Sequence, residues 1–279
     1  MKHSPELTED RETDEAVARR FVAARRAARA LPAYPGPLPA TLEAAYARQD
    51  AAIALWGEAV VGWKVGRIPD AWQARMGEDR LMGPIFASRL QEVEAGDELT
   101  FPVIPGGFAA VEAEYIFRLA EDAPIDRTDH DPSSASALVG SLHIGVEFAG
   151  SPLATINELG PAVVVSDFGN NAGVYVGRQI NDWRDRPWSR LVCRTWIDGR
   201  EVGRGGALSL PGGPLAALAF ALNRGARRRR PLKAGMVVST GAATGIHDIR
   251  PGQRALVGFD GIGDLAGRAY ALRPLEETP

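Results

Sequence analysis

The sequence has very little cysteine and no long hydrophobic run. A lone cysteine, Cys193, excludes an internal disulfide framework and suits a reducing compartment. No apolar run approaches the roughly 18 residues that a membrane-spanning helix needs. The acidic first residues also lack the apolar segment of a signal peptide. We therefore expect a cytoplasmic protein with no membrane partner.

The net charge is small, and soft metal ligands are few. The net charge of -3 gives no general attraction to nucleic acid, so no nucleic-acid partner is expected. The one basic run, residues 227–230, follows a helix-like stretch and is interpreted as cations near a helix C-terminus. Four histidines and one cysteine show no spacing typical of a zinc site.

Glycine and proline, in contrast, are plentiful, with 31 and 20 residues among 279. This abundance favours many short strands joined by turns over a helical bundle. Residues 1–56 have helical patterns, and from residue 57 onward the apolar period is mainly two. The sequence therefore predicts an α+β protein, with an N-terminal helical region (1–56) and a mixed-β catalytic domain (57–279) in one continuous fold.

Two helices are predicted in the N-terminal region. The first is capped by Thr13 and ends at Leu31-Pro32. The second is capped by Thr41 and closed by Gly57. The first helix carries an apolar stripe formed by Val17, Phe21, Ala24 and Ala28.

The most informative stretch is AAVEAEYIFRL, residues 109–119, which has the composition of a strand. Successive side chains of a strand face opposite ways, so Glu112 and Glu114 share one face with Ile116. Partly desolvated carboxylates this close repel each other and need a proton or a cation. A solvated edge strand is the alternative, and a divalent metal site is the interpretation that we follow.

Lys64 and Glu147 have similar settings on two other predicted strands. Lys64 stands between Gly62 and Gly66, opposite an apolar face of Val61, Trp63 and Val65, and the glycines leave room for a ligand. A surface lysine on an edge strand is the alternative. Glu147 faces away from Ile144, Val146 and Phe148 and is therefore a third acid. His143 shares its face and is interpreted as structural.

Loops supply the remaining candidate groups. Asp167, Asn170 and Asn171 lie in a Gly/Asn-rich stretch between two strand-like runs, VVV and VYV. Thr240 and Gly241 end a predicted strand and offer a hydroxyl and backbone N–H groups that suit a carboxylate. Ordinary turns are the alternative for both segments.

The remaining segments give conventional predictions. Residues 191–206 predict a hairpin with its turn at 198–199, and residues 214–223 predict a helix with Gly225 beyond its end. The sequence contains neither a dinucleotide fingerprint followed by a helix, nor a phosphate-binding P-loop, nor a G-x-S-x-G elbow. These absences argue against the corresponding nucleotide-binding and serine hydrolase classes.

Three carboxylates without a soft ligand favour a hard cation, Mg²⁺ or Mn²⁺. Such a cation keeps open positions for a chelating substrate, and a 2-oxo acid offers a carboxylate and a ketone oxygen. The metal would act as a Lewis acid toward the ketone.

Taken together, these motifs resemble the fumarylacetoacetate hydrolase superfamily, in its 2-keto-4-pentenoate hydratase and 4-oxalocrotonate decarboxylase branch. The matching motifs occur in the expected order over nearly the whole chain. They are GWKVG (62–66), GPIFAS (83–88), VEAEYIF (111–117), GVEFAGS (145–151), the D-x-G-x-N-A-G loop (167–173), PLAALAFALN (214–223) and LKAGMVVSTGAATG (232–245).

The resemblance implies a rolled, barrel-like mixed β-structure behind an N-terminal helical region, and a homo-oligomer. It implies metal ligation by Glu112, Glu114 and Glu147 and a catalytic role for Lys64 in enolate stabilisation or proton transfer. Asp167 would position a water or a substrate hydroxyl. Substrate-binding roles are predicted for Gly66, Asn171, Thr240 and Gly241.

The implied reaction is hydration of a small 2-hydroxy-2,4-dienoic acid by a lyase of aromatic compound catabolism. Decarboxylation of a 4-oxalocrotonate-like diacid is the close alternative, because the same chelate would stabilise the same dienolate. Hydrolysis of a C–C bond in an acylpyruvate is a third. A binding protein of the same fold without turnover is the alternative from a different class.

The sequence departs from this family pattern at two positions. Leu81 and Met82 precede Gly83 where hydratases of the branch tend to carry an acid, and Ser88 stands where an aspartate is often found. Asp79 would replace the missing acid only if the loop is shifted. These departures bear on water addition and substrate identity more than on the metal site.

Overall fold

The structure, a computed structural model, describes residues 5–274 and the side chains of residues 13–274. Within these residues the α-helices are α1 (Pro5–Arg26), α2 (Leu42–Trp56), α3 (Asp70–Met76), α4 (Pro132–Ala137), α5 (Pro161–Ser166) and α6 (Pro214–Arg227). The strands are β1 (Val60–Arg67), β2 (Arg80–Phe86), β3 (Leu90–Glu92), β4 (Glu98–Val103), β5 (Phe108–Leu119), β6 (Val139–Ser151), β7 (Asn171–Gln179), β8 (Val192–Ile197), β9 (Arg200–Gly206), β10 (Val237–Ser239), β11 (His247–Asp248), β12 (Arg254–Phe259) and β13 (Gly263–Ala271).

The strands form two sheets. The larger sheet has the order β2-β1-β10-β5-β6-β7-β3, with β11 paired to β5, and the smaller has the order β4-β13-β12-β8-β9. Pairing is mixed, since β1 runs parallel to β10 while β10, β5, β6 and β7 are successively antiparallel. The short strand β10 therefore joins β1, with Lys64, to β5, with the two predicted metal ligands.

The larger sheet curls around its own interior. A small apolar cluster inside it consists of Ile85, Ile116, Val174, Val176 and Val237. Its members come from β2 and β7 as well as from the strands between them. Since four strands separate β2 from β7 in the sheet, they meet in one cluster only if the sheet rolls up.

The other face of the larger sheet packs into the main core. On β5 the predicted alternation is confirmed, because Val111, Ala113, Tyr115 and Phe117 belong to the main core cluster while Ile116 belongs to the interior one. On β1 the predicted face is right for Trp63 and Val65 but wrong for Val61. A register shift between Val60 and Gly62 interrupts the alternation there, and Val61 packs against the interior cluster.

The N-terminal helices pack on this core. The predicted apolar stripe is buried, with Val17, Phe21 and Ala24 on α1 and Ala28 beyond its end. Helix α2 begins and ends as predicted: Thr41 Oγ1 accepts a hydrogen bond from the Ala44 N–H at 3.2 Å, and Gly57 adopts φ 77°. The predicted ends of the first helix are wrong. It starts at Pro5, so Thr13 lies within it, and it stops at Arg26. The division of the chain at residue 56 stays a prediction, and the core contains residues from both parts.

Two other local predictions are wrong, while the predicted hairpin forms. Residues 161–166, which include the VVV run, form helix α5, because Pro161 occupies the first helical turn and burial of the valines outweighs their β-propensity. Gly225 lies inside α6 instead of beyond it. In the hairpin, Asp198 and Gly199 have φ values of 50° and 78°. No helix within residues 5–274 is both long and apolar enough to cross a membrane.

Candidate metal centre

Three buried glutamates converge inside the curled sheet. Glu112 on β5 lies directly opposite Glu147 on β6 in the strand register, and Glu114 lies opposite Gly145. One carboxylate oxygen from each glutamate lies within 4.8 Å of the others. A Cβ at Gly145 would lie 2.1 Å from Ile116 Cδ1 and 2.7 Å from the Tyr175 carbonyl, so a side chain there would disturb the packing beside Glu114.

The hydrogen bonding of this cluster leaves oxygens unused. Gly241 donates its backbone N–H to Glu114 Oε2 at 2.6 Å, and Asn171 donates to Glu147 Oε1 at 3.0 Å. Glu112 Oε1, Glu114 Oε1 and Glu147 Oε2 are buried and lack a hydrogen-bond partner within the described residues. Buried acceptors without partners are unfavourable, and a cation between them removes that penalty.

The raised pKa values of these glutamates also indicate that the ionised cluster needs a cation. Burial, opposed by Lys64 and reinforced by Glu147, raises the pKa of Glu112 to about 8. Burial, followed by the charges of Glu147 and Glu112, raises the pKa of Glu114 well above its usual value. With all three carboxylates ionised and Lys64 protonated, the cluster carries two net negative charges, which one divalent cation balances. The residues present therefore fit a divalent metal with oxygen ligands.

Lys64 is the buried cation beside this cluster. Its Nζ lies 3.2 Å from Glu147 Oε1 and donates a hydrogen bond to Asn170 Oδ1 at 3.0 Å. Burial acts to lower the pKa of Lys64, but the charges of Glu147, Glu112 and Glu114 together raise it. The raised pKa keeps Lys64 protonated at neutral pH, so its ammonium group places a positive charge beside the three glutamates.

Both asparagines of the site lie where the chain enters β7: Asn170 precedes the strand and Asn171 is its first residue. Asn170 binds Lys64 and Asn171 binds Glu147, so consecutive residues hold the ammonium and one carboxylate. Asn170 was named in the sequence only as a loop residue, and its role as the partner of Lys64 was missed. Its positive φ of 55°, which turns the backbone at this point, had no distinct signal beyond the Gly/Asn-rich composition.

Asp167 is not among the groups that face this cluster. Its two carboxylate oxygens accept hydrogen bonds from Arg25 at 2.5 and 2.9 Å, and Ser151 Oγ donates to Oδ2 at 2.6 Å. Arg25 also donates to the backbone carbonyls of Asn171 and Gly150. Sequence reasoning missed Arg25, because an ion pair across 142 residues leaves no local pattern.

A cavity of about 540 Å³ opens beside the metal cluster. Among its walls are the predicted residues Lys64, Gly66, Glu112, Thr240 and Gly241, together with Asn170. The Thr240 hydroxyl donates to the Tyr115 carbonyl at 2.7 Å, and the Gly241 N–H is already bound to Glu114. The turn therefore forms part of the cavity wall, and the Gly241 N–H binds Glu114 instead of being free for a substrate carboxylate.

The residues that depart from the family pattern lie in different places. Leu81 lines the cavity, whereas Ser88 is exposed and its backbone N–H bonds to Glu58. Asp79 forms an ion pair with Arg80. His143, interpreted as structural, bonds to Ser141 Oγ and to the Gly177 carbonyl and is not part of the carboxylate cluster.

Comparison with known proteins gives a consistent picture, although no family model matches the chain. The chain is 28% identical over 210 residues to a 2-keto-4-pentenoate hydratase of Burkholderia vietnamiensis, covering 75% of this chain and 78% of the relative. It is also 28% identical over 211 residues to a 4-oxalocrotonate decarboxylase of Pseudomonas sp, with coverage of 75% and 78%.

A solved structure with the same fold is that of 4-oxalocrotonate decarboxylase from Pseudomonas putida G7, complexed with magnesium and adipate. It superposes with a TM-score of 0.76 at 21% identity, over 93% of this chain and 98% of that chain. The predicted rolled mixed-β fold with an N-terminal helical region is thereby confirmed. By sequence the chain is similar to 2-keto-4-pentenoate hydratases and 4-oxalocrotonate decarboxylases, and it shares the fold of a solved 4-oxalocrotonate decarboxylase, so the predicted resemblance to this branch of the fumarylacetoacetate hydrolase superfamily is confirmed.

Proposed function

We propose that this protein is a divalent-metal-dependent hydro-lyase that adds water to a 2-hydroxy-2,4-dienoate and yields a 4-hydroxy-2-oxo acid. The observation that carries the proposal is the group of three buried glutamates with unpartnered oxygens beside a buried lysine, next to a cavity that Glu112 and Lys64 line. Similarity to named 2-keto-4-pentenoate hydratases over three quarters of the chain supports the choice of reaction.

Glu112, Glu114 and Glu147 would hold the metal, for which Mg²⁺ or Mn²⁺ is the proposed identity because all three ligands are hard oxygens. When bound, such a metal supplies Lewis acidity toward the 2-oxo group and its carboxylate. Burial raises the pKa of Glu112 to about 8 and the pKa of Glu114 well above its usual value, so metal binding has to displace protons from these two carboxylates.

Lys64 is the proposed catalytic residue. Lys64 lines the cavity, and its protonated Nζ is held in place by Asn170 and Glu147, so it can stabilise negative charge that develops on the substrate oxygen. The same Nζ can hold or donate a proton during ketonisation. Gly66 leaves space beside the Lys64 ammonium, since a Cβ on Gly66 would lie 3.8 Å from Nζ.

The other predicted site residues act around this centre. Asn171 orients Glu147, and Gly241 orients Glu114. Thr240 fixes the turn that carries Gly241. For Asp167 we propose a positioning role in place of direct contact with water or substrate, because Arg25 and Ser151 occupy its oxygens and hold the loop that ends in Asn171.

The test is mass spectrometry of the products after incubation with 2-hydroxypenta-2,4-dienoate, with Mg²⁺ and with EDTA. A gain of one water that needs Mg²⁺ and is absent in the Glu114→Gln variant is the expected result. No change of the acid above the Glu114→Gln control would contradict hydration of this compound and lead next to acylpyruvates.

Decarboxylation of a 4-oxalocrotonate-like diacid is the second candidate function. It is favoured by similarity to a named decarboxylase at the same 28% identity. Loss of CO₂ from 4-oxalocrotonate in the same experiment would identify this activity.

We also propose a cytoplasmic homo-oligomer that acts in aromatic compound catabolism. Family resemblance supports the assembly and the pathway class, and the near absence of cysteine supports the compartment. Light scattering coupled to size-exclusion chromatography tests the assembly, for which a monomeric mass would be the contrary result.

A further inference from the structure

The cavity beside the metal cluster is larger than a five-carbon acid needs. Its volume of about 540 Å³ falls within the roughly 300–1,000 Å³ of sites that enclose drug-sized ligands. Lys64 and Glu112, one residue of the metal cluster, line this cavity, and the carboxylate and the 2-oxygen of the substrate would bind beside them. The remaining volume is therefore available to whatever the substrate carries at its other end.

Much of the cavity wall is apolar. We define the apolar arm of the cavity as Trp72 on α3, Leu81 on β2, Pro161 and Val164 on α5, Leu210 after β9 and Ala217 on α6. Since several separate elements contribute to it, the arm is a product of the fold and not of one apolar segment.

Two leucines of the arm, Leu81 and Leu210, lie close to the proposed site residues. A Cβ placed on Gly66 would lie 3.3 Å from Leu81 Cδ1 and 3.8 Å from Lys64 Nζ, so Leu81 borders the space above the lysine. A Cβ placed on Gly241 would lie 3.2 Å from Leu210 Cδ2. A substrate that leaves the metal end must therefore pass between apolar side chains.

The far part of the arm is held in place by packing. The Trp72 ring closes against the backbone at Gly160, where a Cβ would lie 2.8 Å from two of its ring atoms. Gly160 is the residue before α5, so Trp72 is fixed next to Pro161 and Val164. Such a surface favours an apolar group of the ligand over water.

A second carboxylate on the substrate is the competing possibility, because Arg67 and Arg80 also line the cavity. Both guanidinium groups already have acidic partners. Arg67 bonds to Asp70 at 2.6 Å, while Arg80 pairs with Asp79 and donates to the Pro211 carbonyl. Asp248 adds a further negative charge to the lining. The arginines therefore leave no uncompensated positive charge, and the diacid is disfavoured.

From these contacts we infer that the substrate of this protein is a 2-hydroxy-2,4-dienoate with an apolar alkyl or aryl substituent at C5, which lies in the apolar arm. The inference rests on the proposed function and adds the chemical class of the substrate's tail. It also assigns Leu81 a role in specificity, as a side chain that contacts the tail next to the reacting diene.

The first test compares dienoates that differ only at C5, carrying hydrogen, methyl, propyl or phenyl. We expect kcat/KM to increase about fourfold for each buried methylene, since burial of one methylene contributes about 0.8 kcal/mol. Equal or falling kcat/KM along the series would overturn the inference, as would a preference for the 4-oxalocrotonate-like diacid over the propyl and phenyl acids.

Two variants locate the effect in the arm. Val164→Phe should fill it and lower kcat/KM for the propyl and phenyl acids at least tenfold, with less than a twofold change for the unsubstituted acid. Val202→Phe, the same change at an exposed position outside the cavity, should alter neither. If Val164→Phe does not fold, Leu81→Ala serves instead and should reduce the ratio of propyl to unsubstituted rates at least threefold. An equal effect of either variant on all substrates would contradict the inference.

A binding measurement separates this inference from the proposed reaction. With Mg²⁺ present, calorimetric titration with 2-oxopentanoate and 5-phenyl-2-oxopentanoate measures the contribution of the tail without turnover. Tighter binding of the phenyl acid by tenfold or more, with no product from any dienoate, would support the apolar arm and reject the hydratase. Hydration of the unsubstituted acid with equal binding of both ligands would support the hydratase and reject the arm.

Discussion

Replacing Arg25 by Met tests how the N-terminal helix supports the site. Arg25 lies on α1 and donates to both oxygens of Asp167, and the side chains are only 9% and 0% exposed. Removing one partner of a buried ion pair leaves an uncompensated charge, which destabilises a protein by about 3–5 kcal/mol. That is a large share of the roughly 5–15 kcal/mol that separates folded from unfolded domains.

The same helix offers a matched control. Arg19 pairs with Glu15 at 2.7 Å, but the two side chains are 63% and 58% exposed, so Arg19→Met should cost about 0.5 kcal/mol or less. Urea denaturation of both variants, followed by circular dichroism, measures the difference. The Arg25→Met variant should also lose activity, because the Asp167 loop carries Asn171 and its neighbour Asn170. Equal stability of the two variants would refute the argument.

A double-variant cycle with Asp167→Asn tests whether the two side chains act as a unit. Asp167→Asn alone leaves Arg25 with the carbonyls of Gly150 and Asn171 but without its carboxylate. We expect the double variant to be less destabilised than the sum of the single changes, by about 2 kcal/mol. Additive effects would show that the ion pair itself is not what stabilises this region.

Three further predictions concern the metal centre. Lys64→Met should abolish turnover while calorimetry still detects Mg²⁺ binding, because Nζ is not a ligand; unchanged turnover would exclude a catalytic lysine. Glu114→Gln should weaken Mg²⁺ binding at least tenfold and abolish the thermal shift on adding Mg²⁺, and a wild-type shift would place the metal elsewhere. Since burial raises the pKa of Glu112 from 4.5 to about 8, Mg²⁺ affinity should increase, and the stability of the metal-free protein should decrease, as the pH rises through this range. An affinity that is independent of pH between 6 and 9, measured by titration calorimetry, would contradict the raised pKa.

The parts of the site that follow strand alternation could be predicted from the sequence. Glu112, Glu114 and Glu147 each sit in an apolar run of period two, which fixes the face of the strand whatever its neighbours are. The same alternation predicts the face of the strand on which Lys64 lies between two glycines. The hairpin at Asp198-Gly199 could also be predicted from the sequence, because its turn geometry depends on two adjacent residues.

The parts that depend on distant contacts could not be predicted. Residues 161–166 form a helix against β-branched propensity because they are buried on all sides, and burial is a property of the fold. Arg25 gains its importance only from Asp167, far along the chain. The contacts of Asp167 were equally hidden, since nothing in its loop sequence indicates that Arg25 and Ser151 bind its carboxylate, and its role toward the substrate stays a prediction.

The position of β10 in the larger sheet has a consequence for how the protein is made. Val237 pairs with Gly62, so the strand that carries Lys64 reaches the strand that carries Glu112 and Glu114 only through residues 237–239. Contacts between segments as far apart in the sequence as β1 and β10 form slowly, and the ribosome synthesises the N-terminal part of a chain first. The nascent chain therefore exposes the edges of β1 and β5 until synthesis is nearly complete. The three glutamates lie on the directly paired strands β5 and β6, so they can come together before β10 is made, whereas the approach of Lys64 to them is expected to be a late step of folding.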